Sequence, residues 1–558
     1  MNNIFIRLTA IIVWLIISMP VFSQDIENIG KADPFKIDGD VSLTTSAYGF
    51  SSSDSMKARA VPFSGILSAN INASIYGIAL PFSFTYSNQD KSYRQPFNQF
   101  GLNPSYKWVK LHLGYSALNY SAYTLANHTI SGVGVDITPK NFRFGFIYGR
   151  FNRKIGEYDN SRNVVPTYTR KGFATHVGYG NEKNYIDLIF LKAKDNEHSI
   201  AAFESDSLTK PAENLVAGIS ARGKKKNFFA EADVAYSVYT SNFLIDSTKD
   251  KSKIYSSLLT VNNTTNECAA ISGAVGYKSK LYGVKLQYKR IDPGFMTMGA
   301  YFLNSDFENI TIAPNASFFK KKVICSGSFG VQHDNLKNTR NATSLRKIGS
   351  ANLSVNPNKT FGFTGTYSNY SSDQKSGKVA LVDTLRLYQV NQNLMLMPRL
   401  TFIDTAKVQM VLLMFNTMKL HDKNPVTAKY TDFTTNNLLL NYSVSFIRSD
   451  IAINAGLNYT IINLQSGNNK TYGLTWGLAK SFLHNKLSTS LTNVLNKSSF
   501  NGANGTVVNL VITANYIVSK NHSFNINLYY NGNSSKSNEN PSFNEYKGDF
   551  TYVYHFGK

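Results

Sequence analysis

The stretch VNLVITANYIVSKNHSFNINLYY, residues 508–530, decides the fold. Val508, Leu510, Ile512, Ala514 and Tyr516 alternate with Asn509, Val511, Thr513 and Asn515. After the polar turn 518–522, Phe524, Ile526, Leu528 and Tyr530 alternate with Asn525 and Asn527. Period-two alternation puts apolar side chains on one face of a strand and amides on the other. The short polar connection makes the two strands an antiparallel hairpin. Tyr ends the apolar set on both strands, as a ring does where hydrocarbon meets water.

The unit recurs along the chain. Short connections fall at 76–77, 104–107, 139–141, 181–184, 223–227, 278–280, 319–322, 356–359, 404–406, 448–450, 483–485 and 518–522. They alternate with longer polar ones such as 152–171, 192–213, 240–266 and 371–385. With a first strand at 35–50 and a last at 547–556, these hairpins predict about 26 strands (range 22–26), both ends lying on the short-turn side. An even strand count with short turns on one side and long loops on the other is the pattern of transmembrane barrels. The expected fold is therefore all-β: a single large antiparallel transmembrane β-barrel over residues 35–558. Residues 1–23 read as a signal peptide, with Arg7, the apolar run 8–17 and Val21-Phe22-Ser23 before Gln24. Residues 24–34 read as a short periplasmic segment.

A soluble β-sandwich also alternates, but it gives no reason for a Tyr at one distance from each turn. Tyr86, Tyr115, Tyr148, Tyr236, Tyr288, Tyr367, Tyr459 and Tyr530 all close such runs and predict an aromatic ring at a membrane interface. Tyr179, Tyr277, Phe318 and Tyr516 predict a second ring near the short turns. The opposite face carries Lys110, His112, Arg143, Lys285, Gln287, Asn391, Asn393, Asn441, Asn454, Asn458, Asn509, Asn515, Asn525 and Asn527. So many polar groups need partners, and a barrel of this size is roughly 50 Å across. Its lumen is expected to hold water, inward loops or a partner.

Two regions depart from the pattern. Residues 394–397 and 408–415 are apolar on both faces, which predicts packing on both sides or a slip in register. The segment holding Arg290, Asp292, Phe295, Tyr301, Asp306 and Glu308 mixes aromatic and charged groups around a Pro-Gly turn, as a constriction loop would. A similar mixture occupies 115–128.

The formal charge of +23 reflects 58 Lys and Arg against 35 Asp and Glu. Much of the excess sits in short turns, including Lys107, Lys140, Lys183, Lys278, Lys280 and Lys520, where a basic ring would meet anionic headgroups. Its scatter does not fit nucleic-acid binding. No nucleophile, phosphate-loop or metal-spacing motif is present, so no catalytic residue, metal or cofactor is expected. Cys268 and Cys325 lie on different strand faces and read as unpaired.

At the C-terminus Phe550, Tyr552, Tyr554 and Phe556 alternate with Thr551, Val553 and His555. This resembles the aromatic last strand of Gram-negative outer-membrane β-barrel proteins, of the porin-like kind without an N-terminal plug domain. The family usually ends on the aromatic residue itself, whereas Gly557 and Lys558 follow here. The resemblance implies an outer-membrane, multi-pass barrel embedded in lipid, with its last strand read by the barrel-insertion machinery. The resemblance names no substrate, and the residues leave two functional expectations, the amide-lined lumen favouring the first and the strands apolar on both faces the second. One is a channel passing polar solutes, with a small solute in the lumen. The other is a structural or accessory barrel of a secretion or surface-assembly complex, with its lumen filled by a protein partner.

Overall fold

The computed structural model describes residues 34–53, 56–88, 98–155, 166–200, 209–246, 254–376, 386–501, 503–535 and 541–557. The expected signal peptide, nearly all of the expected periplasmic segment and parts of the longer connections lie outside these residues. Strands account for almost all the regular structure described; the exceptions are the short helix Ala428–Thr431 and two 3-10 turns, Glu197–Ser199 and Ile254–Ser257.

The strands join into one antiparallel sheet that closes on itself. Strand Phe35–Ser52 pairs on one side with Phe63–Ile75 and on the other with the last strand, Phe543–Phe556, from Gly39 opposite Phe556 to Ser52 opposite Phe543. Closure removes the unpaired edges that would otherwise be left without partners in hydrocarbon. Of the 27 strand segments, Gln99–Leu102 and Ser105–Tyr106 share one place in the sheet, giving a barrel of 26 strands. The break between them falls at Asn103-Pro104, where proline lacks the N–H a ladder needs. Elsewhere the strands run from 10 to 18 residues, enough to cross a bilayer at the tilt of a barrel.

The twelve expected short turns all join neighbouring strands at one end of the barrel. Several place lysine at positive φ, as at Lys107, Lys140, Lys226, Lys320 and Lys321. The opposite end is less uniform than expected. Near the C-terminus its connections shrink to Gln465-Ser466, between Ile451–Leu464 and Gly467–Phe482, and to 501–502, between Leu487–Phe500 and Ala503–Ile517. Asn501 holds both together, at φ 47° and with its amide donating to Ser466 O at 2.9 Å.

One row of glycines crosses the wall. Gly114, Gly132, Gly149 and Gly172 are register partners on four consecutive strands and face the lumen. A Cβ on Gly132 would sit 2.1 Å from Tyr148 O, and one on Gly172 would sit 2.2 Å from Lys192 O. Only glycine lets the neighbouring backbone approach this closely on the inner face.

Candidate channel lumen

The two faces of the sheet separate cleanly by chemistry. Outward positions carry large apolar side chains open to the surroundings, such as Ile310 (54% exposed), Leu457 (57%) and Val133 (55%). A continuous belt of this kind on a closed sheet is stable only in hydrocarbon. The eight tyrosines expected at the interface all face outward, seven or nine residues past the short turns. At a tilt near 40° that places them roughly 18–23 Å above those turns, close to the edge of the apolar band. Their hydroxyls meet polar groups there: Tyr236 donates to Glu267 Oε2 at 2.5 Å, Tyr288 to Glu308 Oε1 at 2.8 Å, and Tyr530 to Asn544 Oδ1 at 2.9 Å. Near the turns, Tyr277 meets Phe228 edge-to-face at 5.0 Å and stacks on Tyr282 at 5.6 Å. The molecule is a transmembrane β-barrel.

Inside the barrel two sectors of the wall differ sharply in chemistry. From strand Lys407–Asp422 to strand His522–Ser535, the inward positions carry Asn, Ser, Thr, Gly, Met and aliphatic groups with the rings of Phe433, Phe500 and Tyr529, and Asp422 at the rim is their one charged side chain. The amides of this sector bond across strands: Asn416 to Asn393 at 2.8 Å and Asn458 to Asn496 at 3.3 Å. Asn441, Asn454, Asn509, Asn515, Asn525 and Asn527 line the same face, with Asn391 on the adjoining strand. Asn454 and Asn458 lie over the inward glycines Gly477 and Gly473, which leave them room.

The other sector is charged and filled. Arg143 grips Asp187 with two bonds of 2.9 Å and lies over the Tyr185 ring. His112 bonds Asp136 at 2.8 Å and Asn103 at 2.9 Å. Arg222 and Lys285 both approach Glu231, at 3.2 and 3.8 Å. Lys110 and Gln287 share the inward faces of these strands. Above the charges lies a dry core built from inward residues of neighbouring strands, among them Ile147, Leu191, Val216 and Ile291, and from two loops. Loop residues Tyr123, Leu125, Phe295 and Met298 are all at most 4% exposed. Burial raises the pKa of the Tyr120 and Tyr123 phenols, which therefore stay neutral.

The loops are latched to each other and to the wall. Ala126 N–H donates to Gly299 O at 2.9 Å and Thr297 Oγ1 to Thr124 O at 2.6 Å. Asn214, fully buried, donates to Ser237 Oγ at 2.9 Å and Val238 O at 3.1 Å and accepts from Met298 N at 2.9 Å. Ser237 Oγ donates to Met296 O at 2.5 Å. Asn214 and Ser237 escaped the sequence reading. Their signal is faint: one amide and one hydroxyl among several polar groups on the inward faces of these strands.

The residues expected to form a constriction loop separate into three places. Phe295 enters the lumen core, and Tyr301 stacks on His128 at 4.3 Å while accepting from Thr129 N. Asp292 turns back to accept from Ala269 N at 3.0 Å, and Asp306 pairs with Arg340 at 2.8 Å to brace the next loop. Arg290 and Glu308 are opposite one another on the outer face and pair there at 3.7 Å, because the strands extend further than the loop reading allowed. In the two-faced apolar strands the alternation holds. Leu394, Leu396, Leu413 and Phe415 face out, while Met395, Met397, Met410, Leu412 and Met414 face in, half-buried and in neither buried cluster. Both cysteines are free, Cys268 in the lumen core and Cys325 outward.

No protein-family model matches the chain, and no curated protein matches it. Its fold is similar to the translocation pore of the P pilus usher PapC, at TM-score 0.37 and 9% identity over 93% of this chain and 99% of that one. It is also similar to Pseudomonas aeruginosa OccK2, at 0.31 and 8% over 94% and 98%, and to Acinetobacter baumannii OccAB2, at 0.31 and 9% over 62% and 92%.

Proposed function

We propose that this barrel is a diffusion channel for polar solutes across the outer membrane of a Gram-negative bacterium. The uncharged wall of amides and hydroxyls between Lys407 and Ser535 carries this reading, because it lies about half-way round the sheet from the loop-filled sector. Amides and hydroxyls exchange hydrogen bonds with water and passing solutes at little cost, and their lack of charge holds no ion in place. The lumen-facing methionines interrupt the polar wall with soft apolar surface, suited to brushing contact rather than tight binding. On this reading the last strand, Phe543–Phe556, is the segment the barrel-insertion machinery reads.

Single-channel recording of the purified chain in a planar bilayer, at two salt concentrations, tests it. Steady openings are expected. Silence from a correctly folded, heat-modifiable barrel would overturn the channel reading. That silence would favour an accessory barrel with a filled lumen, a role the dry core on the opposite wall also fits. A stoichiometric partner retained from native membranes would then be expected.

A further inference from the structure

A well-formed cleft lies on the outer, lipid-facing surface of the barrel. Its volume is about 690 Å³, and Phe84, Phe100, Val133 and Tyr148 form its walls. A break in the pairing opens it. The pairing of Gln99–Leu102 with Val109–Leu118 stops at Gly101 opposite Gly114, which is held at φ 87°, so Phe100 and Tyr115 splay edge-on at 6.1 Å. Behind it, the inward glycine row lets neighbouring backbones close up on the lumen side.

The upper end of the cleft is basic. Arg150 and Lys171 are register partners at the long-loop ends of strands Phe142–Asn152 and Arg170–Gly180. Arg150 is aimed by a 2.7 Å bond from its guanidinium to Tyr115 Oη. Lys194, next in the row, has Glu213 at 3.7 Å. Among the described residues no carboxylate pairs with Arg150 or Lys171. Two cations without a carboxylate partner among the described residues, at the headgroup level above an apolar slot at acyl level, match one kind of molecule.

We infer that this cleft binds a phosphate-bearing lipid of the outer leaflet, with an acyl chain against Phe100 and Tyr148 and its phosphate on Arg150 and Lys171. A free anion would gain nothing from the apolar walls. A zwitterionic lipid would bring its own cation to two others. The inference is independent of whether the lumen conducts.

Native mass spectrometry of the full chain in neutral detergent tests it, with lipid A, its dephosphorylated form, phosphatidylcholine and inorganic phosphate as probes. Retention of one lipid A per barrel is expected. Binding should fall on the order of tenfold or more in Arg150→Gln/Lys171→Gln, given the strength of headgroup attraction to each cation. Val133→Trp, which fills the slot without touching charge, should weaken it as well. Lys192→Gln, a neighbouring outward cation away from the cleft, should leave it unchanged. Heat-modifiable migration confirms that each variant is folded, and the exposed Lys171→Gln alone should already show part of the loss. Equal retention of the dephosphorylated form or of phosphatidylcholine would overturn the site. So would lipid A binding that ignores all these substitutions, or inorganic phosphate binding with the same dependence on Arg150 and Lys171.

Discussion

At the residue scale, two positions carry far more than their surroundings. Asn214 satisfies both edges of its amide inside the dry core. Replacing it with leucine leaves Met298 N–H without its acceptor, a cost of about 1–3 kcal/mol for each group stranded. Asn214→Leu is therefore expected to release the inner loop. Chymotrypsin should then cut after Phe295, which is fully buried in the native barrel; continued protection would sink the latch. Gly132→Val is expected to abolish the heat-modifiable barrel, since a Cβ there would collide with Tyr148 O. Gly65→Val, where a Cβ meets nothing within 4 Å, serves as the tolerated counterpart.

At the element scale, the inner loop and the last strand act in different ways. Deleting residues 293–298 uncovers the apolar wall at Ile147 and Leu191 but breaks no strand pairing. The barrel should still form, with a larger unitary conductance; unchanged conductance would remove the loop from the permeation path. The last strand instead closes the sheet. Phe550 and Tyr552 pack against Phe524 at 5.9 and 5.1 Å, and Tyr552 is also opposite Leu43 of the first strand. Each aromatic pair contributes about 1 kcal/mol beyond its buried area. Phe550→Ala/Tyr552→Ala should lower the yield of folded barrel while leaving the conductance of the assembled fraction unchanged.

At the scale of the whole molecule, the net charge misleads. Much of the excess of +23 resides in the turns, while several lumenal charges are paired within the filled sector, as in Arg143–Asp187 and Arg222–Glu231. A path along the uncharged wall should show weak ion selectivity, varying little between about pH 5 and 8 because no histidine faces that sector. Strong anion selectivity at low salt would place the path among the charges instead. Met414→Asp, on the uncharged wall, should create a cation preference; no change in reversal potential would mean that ions do not pass there.

The sequence by itself determined the strands, their number, which side chains face lipid and which face the lumen. Each follows from local alternation and turn chemistry, so residues 508–530 contain the rule for the entire wall. Only the tertiary structure decided what fills the lumen. Phe295 and Arg290 look alike as members of one aromatic and charged segment, yet one is buried in the core and the other pairs with Glu308 on the outer face. Where the strand ends and the loop begins sets that difference, and pairing with the next strand extends the ladder past the point that composition marks. The glycine row and the lipid-side cleft were equally hidden. The row exists because Gly114, Gly132, Gly149 and Gly172, separated along the chain, fall opposite one another in register, and register between distant strands is fixed only when the sheet closes.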